Sequence, residues 1–295
     1  MKATWRPAAG AALLVGALCG CAAPEAPLPG KALIGIASIE AAIRDESALN
    51  SRADCVAVAS TPWFAVDPGE GSIVVTAPHA TRPFREGAYR FADGGGTGAL
   101  ARGLNRLAGA TAIYTVYASP SDPNYYDDNE FKQTLERVLV QHRPAFLLDI
   151  HASHPNRPYD VDLGTMGGAS LLGQTRLLAD LVEALRNEGI GNLSLDYFSA
   201  REQQTVTKFA AARGVPAIQL EINATWLNPS HGGLAAHRFS RLLQALVRFV
   251  EKRSPGSLKT PVDAAGLSAA EAACAIRLAP ARNAPPVPTG ARSEE

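Results

Sequence analysis

The sequence predicts a three-layer α/β/α sandwich with a mostly parallel sheet. Three observations support this prediction. Short β-branched or apolar runs alternate with longer segments of helical periodicity, glycines follow several of the helical segments, and polar residues cluster where the apolar runs end. In such folds, ligand-binding side chains gather just beyond the carboxyl ends of the strands.

The predicted elements alternate in type along the chain. Residues 72–77 form a β-branched run that is typical of a buried strand. Asn129 or Asp128 is placed to cap the helix predicted at 129–142. Gly189 and Gly214 are placed to end two further helices. The predicted strands are 72–77, 111–117, 145–150 and 217–222, and the predicted helices are 97–107, 129–142, 171–187, 206–213 and 234–252.

Residues 1–20 have the pattern of a lipoprotein signal peptide. A basic start precedes an apolar run over residues 8–18, which is too short to span a bilayer as a mature helix. The run ends in a segment that resembles a lipobox, so Cys21 is expected to be lipidated and to become the new N-terminus. The alternative is an ordinary secretory signal cleaved one or two residues later. Under either interpretation the protein is exported to the cell envelope. With the lipid anchor, we expect the domain to face the periplasm.

The rest of the chain divides into a tether, one domain and a tail. Residues 21–31 contain three prolines and are expected to form the tether, residues 32–278 the folded domain, and the Pro-rich residues 279–295 a disordered tail. The chain has 28 Lys and Arg residues against 28 Asp and Glu residues. This balance offers no basic patch for nucleic acid or for anionic lipid, so we expect membrane contact through the lipid alone.

Cysteine usage agrees with an oxidising compartment. Cys19 leaves with the signal peptide and Cys21 carries the lipid, which leaves Cys55 and Cys274 near the two ends of the domain. An even pair in an exported protein predicts a disulfide bond between them. Two separate buried thiols are the alternative.

Two histidines occupy equivalent places on different predicted strands. His79 follows the strand at 72–77, and His151 closes the strand at 145–150. Neutral imidazole is a favoured zinc ligand, but a catalytic zinc needs a third protein ligand and an open position. The candidates for that ligand are Asp93, which precedes a glycine-rich turn, and Glu86. Each of these residues also has an ordinary structural role available, as a turn or surface carboxylate.

Glu221 lies within an otherwise apolar strand. Burying a carboxylate without a partner is costly, so this residue is expected to have a specific role. A salt bridge at the strand end is one role. A general base beside a metal, which takes a proton from water and passes it to the leaving nitrogen, is the other.

The order of these motifs resembles the N-formylglutamate amidohydrolase family. The resemblance lies in Pro78-His79, in Asp93-Gly-Gly-Gly-Thr97 and in the 149–153 segment Asp-Ile-His-Ala-Ser. The 219–222 segment Gln-Leu-Glu-Ile resembles the base-bearing strand of the related zinc carboxypeptidases. The resemblance covers roughly residues 70–250. It implies a phosphorylase/hydrolase-like fold, one zinc ion, and hydrolysis of an amide bond next to a carboxylate.

The chain also departs from these families. Arg82 stands where the carboxypeptidases have the glutamate of their H-x-x-E motif. The Asp93–Thr97 element is more similar to that of the poly-γ-glutamate and formylglutamate hydrolases, which favours Asp93 over Glu86 as ligand. The 121–124 segment Ser-Asp-Pro-Asn lacks the arginine of the Asp-x-Asn-Arg element that formylglutamate enzymes show, so the substrate stays open among N-acyl amino acids and peptides.

Arginine is the expected partner of a substrate carboxylate, because its planar fork matches that group. Arg157 follows the His151 strand and is the first candidate, with Arg201 and Arg82 behind it; a solvated surface role is the alternative for each. A binding lipoprotein that keeps the fold without turnover is the competing function. The joint presence of the candidate ligands and Glu221 favours the enzyme.

Overall fold

The computed structural model describes residues 32–259 and 274–279. The predicted signal peptide, the tether, Cys21 and all but the first residue of the predicted tail lie outside these ranges. The α-helices are α1 (Ile36–Arg52), α2 (Gly95–Ala108), α3 (Glu130–His142), α4 (Thr175–Asn187), α5 (Val206–Ala212) and α6 (Gly233–Arg253). The strands are β1 (Cys55–Ala57), β2 (Phe64–Asp67), β3 (Ile73–Ala77), β4 (Phe84–Arg85), β5 (Ala88–Tyr89), β6 (Thr111–Thr115), β7 (Phe146–Ser153), β8 (Val161–Gly164), β9 (Leu193–Leu195), β10 (Ala217–Asn223) and β11 (Cys274–Arg277).

A seven-stranded sheet forms the middle layer, in the order β2-β6-β3-β7-β10-β8-β9. The four central strands β6, β3, β7 and β10 run parallel, whereas β2 and β8 run antiparallel to the central strands beside them. The β3 and β7 strands are buried along nearly their whole length, as expected for parallel strands covered on both faces. The predicted, mostly parallel sheet is thereby confirmed.

Helices cover both faces of this sheet. Side chains alternate along β7, so Phe146 and Asp149 point to opposite faces. Phe146 packs against Phe249 of α6, with the ring centroids 5.1 Å apart, whereas Asp149 contacts Thr207 of α5. Helices α1, α2 and α4 join α6 in one layer, and α3 joins α5 in the other. The fold is the predicted α/β/α sandwich, and no helix of the described ranges is long and apolar enough to cross a membrane.

Several predicted boundaries differ from the structure. The β7 strand continues to Ser153, so His151 lies within the strand rather than closing it. The α4 helix begins at Thr175 and not at 171, because Leu172 and Gly173 adopt positive φ angles that stop the preceding 3₁₀ turn. Asn129, rather than Asp128, caps α3 by accepting a hydrogen bond from the Lys132 N–H.

A disulfide bond joins Cys55 to Cys274, with the Cα atoms 5.3 Å apart. The two cysteines begin β1 and β11, which pair as a small antiparallel sheet. The bond therefore ties the C-terminal strand to the segment that follows α1, across 219 residues of sequence.

Candidate metal centre

His79, Asp93 and His151 lie together at the carboxyl ends of β3 and β7. Their nearest ligand atoms all lie within 4.8 Å of one another. Asp93 Oδ2 is 2.9 Å from His151 Nδ1 and 3.7 Å from His79 Nδ1. The two imidazole rings meet edge to face, with their centroids 4.9 Å apart. Parallel strands bring their ends to one edge of the sheet, which is why residues 72 positions apart in sequence meet here.

The glycine run after Asp93 explains how this carboxylate is held. The Asp93 N–H donates to the His79 carbonyl oxygen over 2.8 Å, so the two candidate ligands are joined through the backbone. Gly94 has φ of 97°, a conformation that favours glycine. A Cβ at Gly96 would lie 1.7 Å from the carbonyl oxygen of Leu227. The start of α2 therefore packs against its neighbours only with glycine at these positions. This close packing fixes the position of the preceding residue, Asp93.

A buried carboxylate stands behind each imidazole. Asp122 Oδ1 lies 2.7 Å from His79 Nε2, and Asp149 Oδ2 lies 3.4 Å from His151 Nε2. Both aspartates are completely buried. A carboxylate in this position fixes the tautomer and orientation of a metal-binding histidine. Each ring therefore turns its Nδ1 towards Asp93, and Nδ1 is the atom that each histidine offers to a metal.

Asp122 is the residue of this group that sequence reasoning missed. It appeared there only as part of a segment that lacks an arginine. Its Asp-Pro-Asn context was the available signal, because the Asn124 N–H donates to Asp122 Oδ1 over 2.9 Å and holds the carboxylate in place. Its pairing with His79 depends on a tertiary contact over 43 residues.

The aspartates also set the charge of the histidines. Burial lowers the pKa of His79, but the neighbouring Asp122 carboxylate outweighs this effect and raises the pKa above its ordinary value. The pKa of His151 is raised well above its ordinary value, because Asp149 and Asp93 likewise outweigh burial. A cation is thus favoured between these carboxylates, and a metal that binds the two Nδ1 atoms must displace protons.

This donor set fits a catalytic zinc. Two imidazole nitrogens and one carboxylate are a known ligand set for such sites, and they leave a position for water or substrate. Glu86, the alternative third ligand, lies outside the cluster: its carboxylate pairs with Arg90 and accepts a hydrogen bond from the Tyr125 hydroxyl. The geometry therefore brings Asp93 to the histidines and leaves Glu86 in an exposed ion pair.

Glu221 lies beside the cluster, on β10. It is the parallel register partner of His151, so the two side chains share one face of the sheet. Gln219 Nε2 donates to Glu221 Oε1 over 2.9 Å and orients the carboxylate. Burial is the largest influence on the pKa of Glu221 and raises it to about 7, against the lowering effect of His151. A carboxylate with this pKa can accept and release a proton near neutrality.

The candidate arginines differ in how their guanidinium groups are engaged. Arg157 is exposed and lies over the Phe198 ring, with 4.9 Å to the centroid. Arg82 donates to the carbonyl oxygens of residues 89, 90 and 279 and to Asp54, which leaves it a structural role. Arg201 donates to the Met166 carbonyl oxygen. Arg157 donates one hydrogen bond to the Tyr197 hydroxyl, and Arg157 and Arg201 are both exposed, so a substrate can reach either of them but not Arg82.

Arg85 is a further arginine at this edge of the fold, and sequence reasoning did not identify it. Its Nη1 lies 3.6 Å from Asp122 Oδ2, beyond hydrogen-bonding distance, and its guanidinium lies over the Tyr125 ring. Tyr125 stands where the Asp-x-Asn-Arg element would have its arginine. Arg85 therefore brings a positive charge from the β4–β5 hairpin to the place where that element lacks one.

Buried polar atoms without hydrogen-bond partners concentrate around this centre. Nine such side-chain atoms occur in the part of the chain that the structure describes, and six belong to residues of this region. Two of the six already face a charged group, His151 Nε2 towards Asp149 and Asp122 Oδ2 towards Arg85. A buried polar atom without a partner is costly, so the others favour a polar ligand at this site. The six are Arg85 Nε, Asp122 Oδ2, His151 Nε2, Ser153 Oγ, Tyr159 Oη and Gln219 Oε1.

Comparison with known proteins finds similarity among solved structures. No family model and no curated protein matches the sequence. N-formylglutamate amidohydrolase from Ralstonia eutropha is 16% identical, with a TM-score of 0.44 over 64% of this chain and 98% of that one. A bacteriophage poly-γ-glutamate hydrolase is 17% identical, with a TM-score of 0.42 over 64% of this chain and 88% of that one.

A metallo-carboxypeptidase from Burkholderia cenocepacia is 12% identical, with a TM-score of 0.42 over 66% of each chain. These structures come from the protein classes that the sequence motifs resemble. At these TM-scores and identities the similarity assigns no activity to this chain, and the geometry of the centre is what supports a function.

Proposed function

We propose that this protein is an exported, zinc-dependent hydrolase that cleaves an amide bond next to a carboxylate in an N-acyl amino acid or peptide. The convergence of His79, Asp93 and His151 beside Glu221 supports this proposal most directly. A chain that only binds a ligand has little need for a buried carboxylate next to two imidazoles and a third acidic ligand. The reaction is also the one that the sequence motifs imply.

The metal would be held by Nδ1 of His79, Nδ1 of His151 and the Asp93 carboxylate. Zinc bound there would polarise the amide carbonyl and lower the pKa of water towards about 7. Asp122 and Asp149 keep the two rings in the tautomer that presents Nδ1. Glu221 accepts a proton from the attacking water at its carboxylate and donates it to the leaving nitrogen.

The substrate carboxylate would meet an arginine at the edge of this centre. Arg157 stays the first candidate, and Arg85 becomes a second because its Nε is buried without a hydrogen-bond partner. Replacement of the correct arginine by lysine should raise KM more than it lowers kcat, because lysine cannot make the two parallel hydrogen bonds of the guanidinium fork. An unchanged KM in both variants would leave neither arginine with this role.

The proposal includes the location of the protein. The basic start, the short apolar run and the lipobox-like segment support export and a lipid on Cys21. A lipid-anchored enzyme facing the periplasm would meet short γ-glutamyl or cell-wall peptides, and we include both in the substrate range.

The test compares two variants that should fail differently. Glu221→Gln is nearly isosteric and should keep zinc and substrate binding, while hydrolysis falls by roughly 10²–10⁴, the usual scale for a lost acid–base group. His79→Ala should lose zinc as well as activity. Elemental analysis and a screen of N-acyl amino acids, γ-glutamyl peptides and cell-wall peptides measure both quantities.

The same analysis decides between the two acidic candidates. Asp93→Asn should lose zinc, whereas Glu86→Gln, in the exposed ion pair with Arg90, should retain it. Zinc-loaded wild-type protein that binds these ligands but cleaves none of them would support the binding lipoprotein instead. Wild-type turnover in Glu221→Gln would show that another group is the base.

A further inference from the structure

Two buried hydroxyl groups lie beside Glu221 and beside each other. Tyr159 is 2% exposed and Ser153 is 7% exposed, and neither hydroxyl makes a well-formed hydrogen bond within the described residues. A buried hydroxyl without a partner costs about 1–3 kcal/mol by mutational measurements. Two of them in one place therefore indicate a ligand oxygen that both can reach.

Strand geometry places Ser153 at the metal centre. Side chains alternate along β7, so Ser153 points to the same face as His151, two residues earlier. Its register partner on β10 is Asn223, which lies two residues beyond Glu221 on that face. The hydroxyl of Ser153 thus continues the polar row that begins with His151 and Glu221.

A clamp from β10 brings Tyr159 to the same row. Asn223 Nδ2 contacts the carbonyl oxygens of Pro155, Arg157 and Tyr159 at 3.1, 3.5 and 3.3 Å, which folds the 155–159 loop back onto the strand end. The Tyr159 ring packs edge-on against Tyr197, with 5.5 Å between the centroids. The phenol is therefore held by backbone and ring contacts that do not use its hydroxyl group.

The neighbouring charge limits what these hydroxyls bind. The Tyr159 phenol keeps its proton at neutral pH, because burial raises its pKa, the Ser153 hydroxyl lowers it by less, and the Glu221 carboxylate raises it further. It is therefore a hydrogen-bond donor. A substrate carboxylate next to the Glu221 carboxylate would be repelled, whereas a neutral carbonyl oxygen would not.

The charge changes when water adds to the amide. The water oxygen bonds to the carbonyl carbon, the π electron pair of the carbonyl moves to its oxygen, and a water proton passes to Glu221. The base becomes neutral as the carbonyl oxygen becomes negative. A preorganised donor at that oxygen is worth more in this state than in the ground state, which is the condition for catalysis.

We propose that Tyr159 is a catalytic residue whose hydroxyl, with Ser153 as a second donor, hydrogen-bonds the amide carbonyl oxygen as negative charge develops on it. This inference rests on the proposed amide hydrolysis and names a group that acts on the substrate itself. It predicts that the tyrosine hydroxyl stabilises a tetrahedral oxyanion far more than the planar amide that precedes it.

The experiment compares two probes that differ in that respect. One is N-acetyl-L-glutamate, which presents a planar amide, and the other is N-(methylphosphonyl)-L-glutamate, which presents a tetrahedral anion at the same position. Calorimetry on the zinc-loaded proteins should show that Tyr159→Phe binds the phosphonyl probe roughly 10²–10³-fold more weakly, the scale for one lost oxyanion donor, and the amide probe less than about 3-fold more weakly. Ser153→Ala should show a smaller loss in the same direction.

Controls separate this inference from the proposed function. Tyr89→Phe removes a phenol whose ring packs on Phe84, which lies on neither β7 nor β10, and should bind both probes as the wild type does. Zinc content should be unchanged in every variant; where Tyr159→Phe fails to fold, Ser153→Ala decides.

Each remaining outcome is informative. Unchanged phosphonyl binding, or an equal loss for both probes, overturns the role of Tyr159 while leaving amide hydrolysis intact. A wild-type protein that binds the phosphonyl probe no more tightly than the amide probe, and that cleaves no amide, overturns the proposed function and this inference with it.

Discussion

Asp122→Asn isolates the contribution of the carboxylate behind His79. The change removes the charge but keeps an oxygen that can accept hydrogen bonds from His79 Nε2 and from the Asn124 N–H. In the wild-type structure Asp122 Oδ1 lies 2.7 Å from His79 Nε2. Burial alone would raise the pKa of Asp122, but the neighbouring His79 charge lowers it below its ordinary value, so the carboxylate is ionised at neutral pH. The variant therefore exchanges a charge-assisted hydrogen bond for a neutral one.

The expected loss follows from that exchange. A hydrogen bond to a charged group contributes about 1.5–3 kcal/mol and a neutral one about 0.5–1.5 kcal/mol, which leaves a difference of about 1–2 kcal/mol. Because Asp122 is completely buried, solvent screens little of it. At about 1.4 kcal/mol for each tenfold change, zinc should bind roughly 5–30-fold more weakly, which overlaps the usual loss of about 10–100-fold for such partners.

The assay is competition for zinc with a chromogenic chelator at neutral pH. Asp149→Asn is the matched comparison: its carboxylate lies 3.4 Å from His151 Nε2 and is also held by Thr76 Oγ1, so the zinc affinity should fall less and the free energy of unfolding more. Glu86→Gln should bind zinc as the wild type does. An Asp122→Asn variant with wild-type zinc affinity would refute the role assigned to this carboxylate.

Three further predictions concern other parts of the molecule. Because burial raises the pKa of Glu221 to about 7, the base is protonated below that value, so kcat should fall as pH decreases through a limb at or below pH 7 that Glu221→Gln lacks. Cys21→Ser should leave the precursor unprocessed by the lipoprotein pathway and move the protein out of the membrane fraction; an unmodified N-terminus found by mass spectrometry of the native protein would contradict this. Cys274→Ser opens the 219-residue loop that ends at Cys55 and should lower the free energy of unfolding in urea by about 2–4 kcal/mol; an unchanged unfolding midpoint would argue against it.

The candidate metal-binding histidines could be predicted from sequence because the sheet imposes their positions. A β-branched run with a histidine just after it marks a parallel strand, and parallel strands end at one edge. His79 follows that rule just after β3, and His151 lies within the last three residues of β7, at the same edge of the sheet. Asp122 and Tyr159 do not follow this rule, because each lies in a loop that only tertiary contacts bring to the centre, and no local pattern encodes those contacts.

The sequence prediction did not include the helix α1 or the short strands outside the central four, and tertiary contacts stabilise those strands. The β8 strand is only four residues long and contains Asp162, which reads as a loop residue in sequence. The structure buries this carboxylate completely, because it accepts hydrogen bonds from Ser194 Oγ and from the Tyr197 and Phe198 N–H groups. Those three hydrogen-bond donors offset the cost of burying the carboxylate, so the strand forms although the sequence pattern alone would place Asp162 at the surface. The three-residue β9 strand is too short to carry a pattern of its own.

The position of a bound metal tests the central claim most directly. Crystals of the zinc-loaded protein, measured on both sides of the zinc absorption edge, should show one anomalous peak between His79, Asp93 and His151. We expect bonds of about 2.0–2.2 Å from that peak to Nδ1 of both histidines and to the Asp93 carboxylate. A peak bound through Nε2, a peak at Glu86, or the absence of zinc from this cluster in protein that hydrolyses amides would contradict it.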